Sequence, residues 1–111
     1  MKLVDHSLSQ IDLPLKLQIL NISVNLSRLS QWVYEGYDKR SELINKFMKQ
    51  TENYLADLDR QKISRDFKPT LERLKTEFPY LKKTLNSQDK RFWAEKALTW
   101  ANILTHRAKI A

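Results

Sequence analysis

Apolar residues recur along this chain at alternating steps of three and four, the period of an α-helix. The stretch 13–33, LPLKLQILNISVNLSRLSQWV, shows the pattern twice over. Leu15, Ile19, Ile22, Leu26, Leu29 and Val33 form one stripe. Leu13, Leu17, Leu20 and Val24 form a second, about 180° away at about 100° of turn per residue. Asn21, Ser23, Asn25 and Ser27 fill the space between the stripes, and Lys16 and Arg28 are the only charges. A helix apolar on two opposite faces must be covered on both, which predicts a central position for it. Part of this stretch also alternates with period two, as a strand would. The two alternating runs meet without a turn dipeptide, however, and nothing else in the chain reads as a strand to pair with.

The remaining elements follow from the same period and from capping residues. Residues 1–12 read as a polar arm, and a first helix starts near Asp12, a capping residue, with Pro14 in its first turn. Gly36 ends it by supplying a left-handed position. A second helix over 41–59 carries Leu43, Ile44, Phe47, Met48, Tyr54, Leu55 and Leu58 on one stripe, with Thr51 completing the spacing. A third is capped by Ser64 or Asp66 and carries Leu71, Leu74, Phe78, Leu81 and Leu85 inward; Pro79 predicts a kink or a one-turn break near residues 77 and 78. Asn86 and Ser87 stop it and cap a fourth helix over 88–108, with Trp93, Ala97, Trp100, Ala101 and Leu104 inward. Ala94, Ala97, Ala101 and Ala108 leave room there for a neighbouring backbone to come close. The fold class expected is all-α: an antiparallel four-helix bundle, one domain over 13–111, built around a two-faced first helix.

Composition narrows the class further. With 111 residues and 41% hydrophobic content, one core is the expectation. A single Gly argues against tight-turned sheets and phosphate-cradling loops. The absence of Cys removes disulfides, thiolate metal sites and thiol nucleophiles. The opening MKLVDHSLSQIDLP has no uninterrupted apolar run, so no signal peptide is expected there, and no segment is apolar enough to span a membrane. A cytoplasmic protein is the expectation.

Charge changes the picture most. The net charge is +7, and all of it belongs to the C-terminal half. Residues 1–35 and 36–60 are each balanced, whereas 61–111 carry twelve basic and five acidic groups. Such asymmetry suggests a polyanionic partner for one face. Lys68, Lys75 and Lys82 recur every seven residues along the third helix, about 60° from its apolar stripe. Arg65 and Lys83 lie further round the same side, and Lys90 and Arg91 open the fourth helix. Spaced by about 10 Å per heptad, this row is a usable track for a phosphate backbone. It reads equally as a solvated face whose lysine stems cover the edge of the core. Tyr80 beside Lys82 and Lys83, and Phe92 beside Arg91, are aromatics placed to stack on unpaired bases or to pack on a neighbour.

No catalytic constellation is evident. His6 and His106, the only histidines, lie at no ligand spacing, and the acidic pairs Asp57 with Asp59 and Asp5 with Asp12 read as solvated charges. No cofactor, no metal and no enzymatic activity are expected. No module that reads base edges is present either, so any nucleic-acid contact is expected with the backbone.

The two-faced first helix, the row 68–75–82 and the run from Lys82 and Lys83 to Lys90, Arg91, Phe92 and Trp93 are features of a small, basic, cysteine-free helical chain. In that format the chain resembles the small subunits of multi-subunit CRISPR effector complexes. The resemblance implies a helical bundle that repeats along a complex and lines a positive channel for nucleic acid, without catalysis of its own. The expected function is a sequence-independent nucleic-acid-backbone-binding subunit, meeting a single strand or a heteroduplex through Arg65, Lys68, Lys75, Lys82, Lys83, Lys90 and Arg91. Leu13, Leu17, Leu20 and Val24 would meet other protein subunits, including copies of this chain, or be covered by the arm of residues 1–12. The alternative is a helical protein–protein adaptor or regulatory bundle with no nucleic acid at all.

Overall fold

The computed structural model describes residues 12–86 and 89–111. All but the last residue of the expected arm 1–12 lies outside these, as do His6, Ser87 and Gln88. Four α-helices pack together: α1 (Leu15–Gly36), α2 (Ser41–Leu58), α3 (Lys68–Lys83) and α4 (Lys90–Arg107). Short 3₁₀ turns follow α1 at Tyr37–Lys39 and α4 at Ala108–Ile110. There is no strand among the described residues, so the period-two alternation in the first stretch is not used for pairing.

Helix α1 begins after Pro14 and has no side-chain cap; Asp12 does not supply one. Gln18 ties down the chain entering the helix, its Nε2 donating to the Leu13 carbonyl at 2.7 Å. At the other end Gly36 has φ of 138°, a backbone conformation that side-chain-bearing residues rarely adopt. A Cβ there would meet only the Lys39 side chain at 3.7 Å, so the dihedral and not space requires glycine.

The first stripe of α1 is the core of the fold: Ile19, Ile22, Leu26, Leu29 and Val33 are all buried. The polar residues beside it are buried too, because they form the seams to the neighbouring helices. Toward α4, Ser23 and Ser30 donate to the carbonyls of Ala101 and Ala94 at 2.7 and 2.6 Å. Such bonds need the backbones close together, and the buried Ala94, Ala97 and Ala101 permit that. Toward α2, the Asn25 amide donates to Gln50 Oε1 at 2.9 Å, and Gln18 and Gln61 exchange amide hydrogen bonds at 2.9 and 2.5 Å. No buried side-chain nitrogen or oxygen among the described residues lacks a partner, which is what keeps these polar seams from costing stability.

Helix α3 has no side-chain cap at its first residue, although Ser64 closes the turn that leads into it, and α4 is capped by a residue other than those expected. Phe67, fully buried, precedes α3, and the Ser64 hydroxyl accepts from its N–H at 3.1 Å. Ser64 also bonds the carbonyls of Ile110 and Ala111, sewing the α2–α3 connector to the last turn. Pro79 lies inside α3, which runs on as one helix; of the kink or one-turn break expected near residues 77 and 78, the break does not occur. Phe78 and Leu81 are buried on either side of it, and Pro79 itself is exposed, so the lost helical bond falls where solvent is at hand. Helix α4 is capped by Asp89, whose Oδ1 accepts from Arg91 N and Phe92 N at 2.8 and 3.2 Å. Asn86 does not perform that role. Trp93 locks α4 to α3, its indole N–H donating to the Leu81 carbonyl at 2.9 Å.

Candidate nucleic-acid interface

The lysine row lies on the flank of α3 that faces α2, and two of its three members meet carboxylates there. Lys75 Nζ is 2.5 Å from Asp59 Oδ1 and 3.9 Å from Glu72 Oε1. Lys82 Nζ is 2.8 Å from Glu52 Oε2, which Lys49 also approaches at 3.2 Å on the other oxygen. The hydrogen bond from Lys82, then the one from Lys49, holds the Glu52 carboxyl below its ordinary range. The hydrogen bond to Asp59 likewise raises the Lys75 ammonium above its own. These contacts strap α3 to α2.

The other expected contact residues are placed differently. Arg65, Lys68, Lys83 and Lys90 are exposed and have no ion-pair partner among the described residues. Arg65 lies in the turn before α3, Lys68 begins the helix and Lys83 ends it, so Lys68 and Lys83 are on the order of 20–25 Å apart at 1.5 Å rise per residue. Lys90 opens α4. Arg91 is exposed, with Glu95 one turn on at 3.7 Å.

The opposite flank of α3 forms a groove with α4 that the lysine pattern did not reveal. Arg73 places its guanidinium carbon 5.8 Å from the ring centre of Trp100. Tyr80 of α3 and Phe92 of α4 both lie 5.9 Å from the ammonium of Lys96, which also pairs with Glu77 at 3.1 Å. Around Arg73 and Trp100 the groove has a volume of about 510 Å³ toward His106 and Arg107. A contiguous space of about 330 Å³ extends from the same two residues to Phe92. The sequence did contain a signal: Arg73 and Tyr80 are seven apart on one helix line, and Phe92 and Lys96 are four apart on another. What it lacked was the pairing of those two lines.

Most of the second stripe of the 13–33 stretch faces outward. Leu13, Leu17 and Val24 are 40, 46 and 44% exposed, whereas Leu20 is half-buried against the core. Among the described residues there is no group of three or more metal-ligating side chains, and no helix is long and apolar enough to cross a membrane. Compared with known proteins, the chain matches no family model, no curated protein and no solved structure.

Proposed function

We propose that this chain is a non-catalytic, cytoplasmic subunit that binds nucleic-acid backbone without reading its sequence, as part of a larger assembly. One observation carries the reading. After Lys75 and Lys82 are bound to α2, the half that holds the whole +7 still presents Arg65, Lys68, Lys83 and Lys90 exposed and without carboxylates. Groups of this kind sense charge and not base identity. The scaffold in this reading is an antiparallel bundle around α1. The order of the seam contacts supports it, since Ser23 meets Ala101 and Ser30 meets Ala94, while Gln18 meets Gln61 and Asn25 meets Gln50. The role is the one that the resemblance to CRISPR effector small subunits implies.

The adaptor reading is favoured by a different observation. The exposed Leu13, Leu17 and Val24 form an apolar face of the kind that meets protein, and two lysines of the row already have structural partners. The two readings separate in a salt titration of oligonucleotide binding followed by fluorescence anisotropy. Four phosphate contacts give a log–log slope of roughly −3, at about 0.7 per contact for a single strand. Changing Arg65, Lys68, Lys83 and Lys90 together to Gln should remove that binding for every sequence alike. An oligonucleotide that does not bind above background even at low salt leaves the adaptor.

A further inference from the structure

We infer that the groove between α3 and α4 takes unpaired bases, so that the polyanion bound along α3 is a single strand whose bases turn into this groove; the inference rests on the backbone-binding reading above. Tyr80 and Phe92 carry it. They are 53 and 48% exposed, they come from different helices, and the fold brings both to one ammonium, that of Lys96. Large aromatic rings left half in water beside cations are the elements of a stacking platform for single-stranded nucleic acid. Stacking tolerates any base, because every base has a π-face, so the groove adds affinity without adding sequence preference. A base inside a duplex has both faces occupied by its neighbours and gains nothing from the rings.

Shape and charge agree with that occupant. The groove is an open cleft with two parts of about 510 and 330 Å³; Phe92 and Lys96 line the smaller part, and Tyr80 stands at its edge, across Lys96. Arg73, Lys96 and Arg107 line it against Glu77 and Glu95. Glu95 is turned toward Arg91, and Glu77 is the carboxylate that a phosphate would replace on Lys96. Arg73 and Arg107 have no carboxylate partner among the described residues; Arg107 donates instead to the Asp66 carbonyl at 3.3 Å. Lys83 closes α3 and Lys90 opens α4, so both residues stand at the end of the helix pair that carries Tyr80 and Phe92. A strand can therefore keep its phosphates on these cations while its bases meet the rings.

The test compares three probes at one salt concentration: an oligothymidylate, an abasic deoxyribose-phosphate chain of equal length, and a duplex. They are measured on the parent and on a Tyr80→Leu, Phe92→Leu double variant. Both side chains are half-exposed, and Leu keeps the helix-forming tendency, so the variant should unfold at the same temperature as the parent. The parent should bind oligothymidylate at least about tenfold more tightly than the abasic chain, given about 1–3 kcal/mol for each stacked base. The double variant should bind the two alike, with the salt slope kept and duplex binding unchanged. Equal binding of both single chains by the parent overturns the stacking inference and leaves backbone binding standing. A preference that survives in the double variant, or a duplex weakened as much as the single strand, overturns the placement in this groove. No binding of any probe at low salt overturns the functional reading and this inference with it.

Discussion

The ammonium of Lys82 lies 2.8 Å from Oε2 of Glu52, so a lysine that faces outward on a helical wheel is bound to the neighbouring helix. The pair has a pH signature. A carboxyl whose pKa is depressed on folding contributes stability that is present above its unfolded value, about 4.3, and is lost as pH falls through the folded one. Lys82→Met should therefore move the Glu52 titration back up toward the ordinary range, followed through its side-chain carboxyl carbon by NMR. Acid sensitivity should lessen slightly, since a pair this exposed contributes about 0–1 kcal/mol. An unchanged Glu52 titration would mean that the strap does not exist in solution. Lys75 has the opposite sign: its raised pKa contributes stability below about pH 10.4 that is lost as pH rises through the folded value.

The same straps divide the lysine row by role. Lys75→Gln with Lys82→Gln should leave the salt slope of oligonucleotide binding almost where it was and lower the unfolding temperature slightly. Arg65→Gln with Lys68→Gln should do the reverse, reducing the slope by about 1.4 at ~0.7 per contact. If the first pair of changes flattens the slope more than the second, the phosphates lie over α2 and α3 instead.

Gln18 is fully buried, and its reciprocal pair with Gln61 fixes the seam near the start of α1. Gln61→Ala strips that partner from a buried amide and should cost about 1–3 kcal/mol. Gln18→Leu in the same chain should recover part of the loss, because no buried amide is then left short. A double-mutant cycle by urea unfolding measures it, and purely additive losses would count against the pair.

Ala97 has no exposed surface, and it sits between the two alanines whose carbonyls take the serine hydroxyls of α1. Ala97→Leu should force α1 and α4 apart at a cost of about 1–3 kcal/mol, or several degrees in unfolding temperature. Leu98→Ala, one residue on but 43% exposed, is the matched control and should change stability by about 0.5 kcal/mol or less.

The outer face of α1 is tested at Leu17 and Val24. Leu17→Glu with Val24→Glu should leave the isolated fold intact, since both side chains are more than two-fifths exposed. Self-association by sedimentation, or incorporation into a complex, should be lost. A double variant that associates as the parent does would show that no subunit sits there. Leu20→Glu is a poorer test, because Leu20 is packed against the core.

What the sequence determined by itself is what depends on neighbours three and four residues away. The helical period, the buried stripe of α1, the inward set Trp93, Ala97, Trp100, Ala101 and Leu104, and the glycine stop at Gly36 all follow from local spacing and backbone dihedrals. The caps were harder to read, because Asn86, Ser87 and Asp89 are all capable and the turn geometry chose Asp89. Pro79 was read as a kink or a one-turn break because local propensity opposes it, and the helix runs on through it with buried contacts on both sides. Only the tertiary structure decided which charges are available. A helical wheel shows the direction of Lys75 and Lys82 but not Asp59 and Glu52 on the helix beside them. In the same way, Tyr80 and Phe92 are twelve residues apart in the chain and meet at one ammonium only because α3 and α4 lie side by side. Charge pairing and groove formation act through space between helices, and the periodicity of a single helix carries no information about its neighbour.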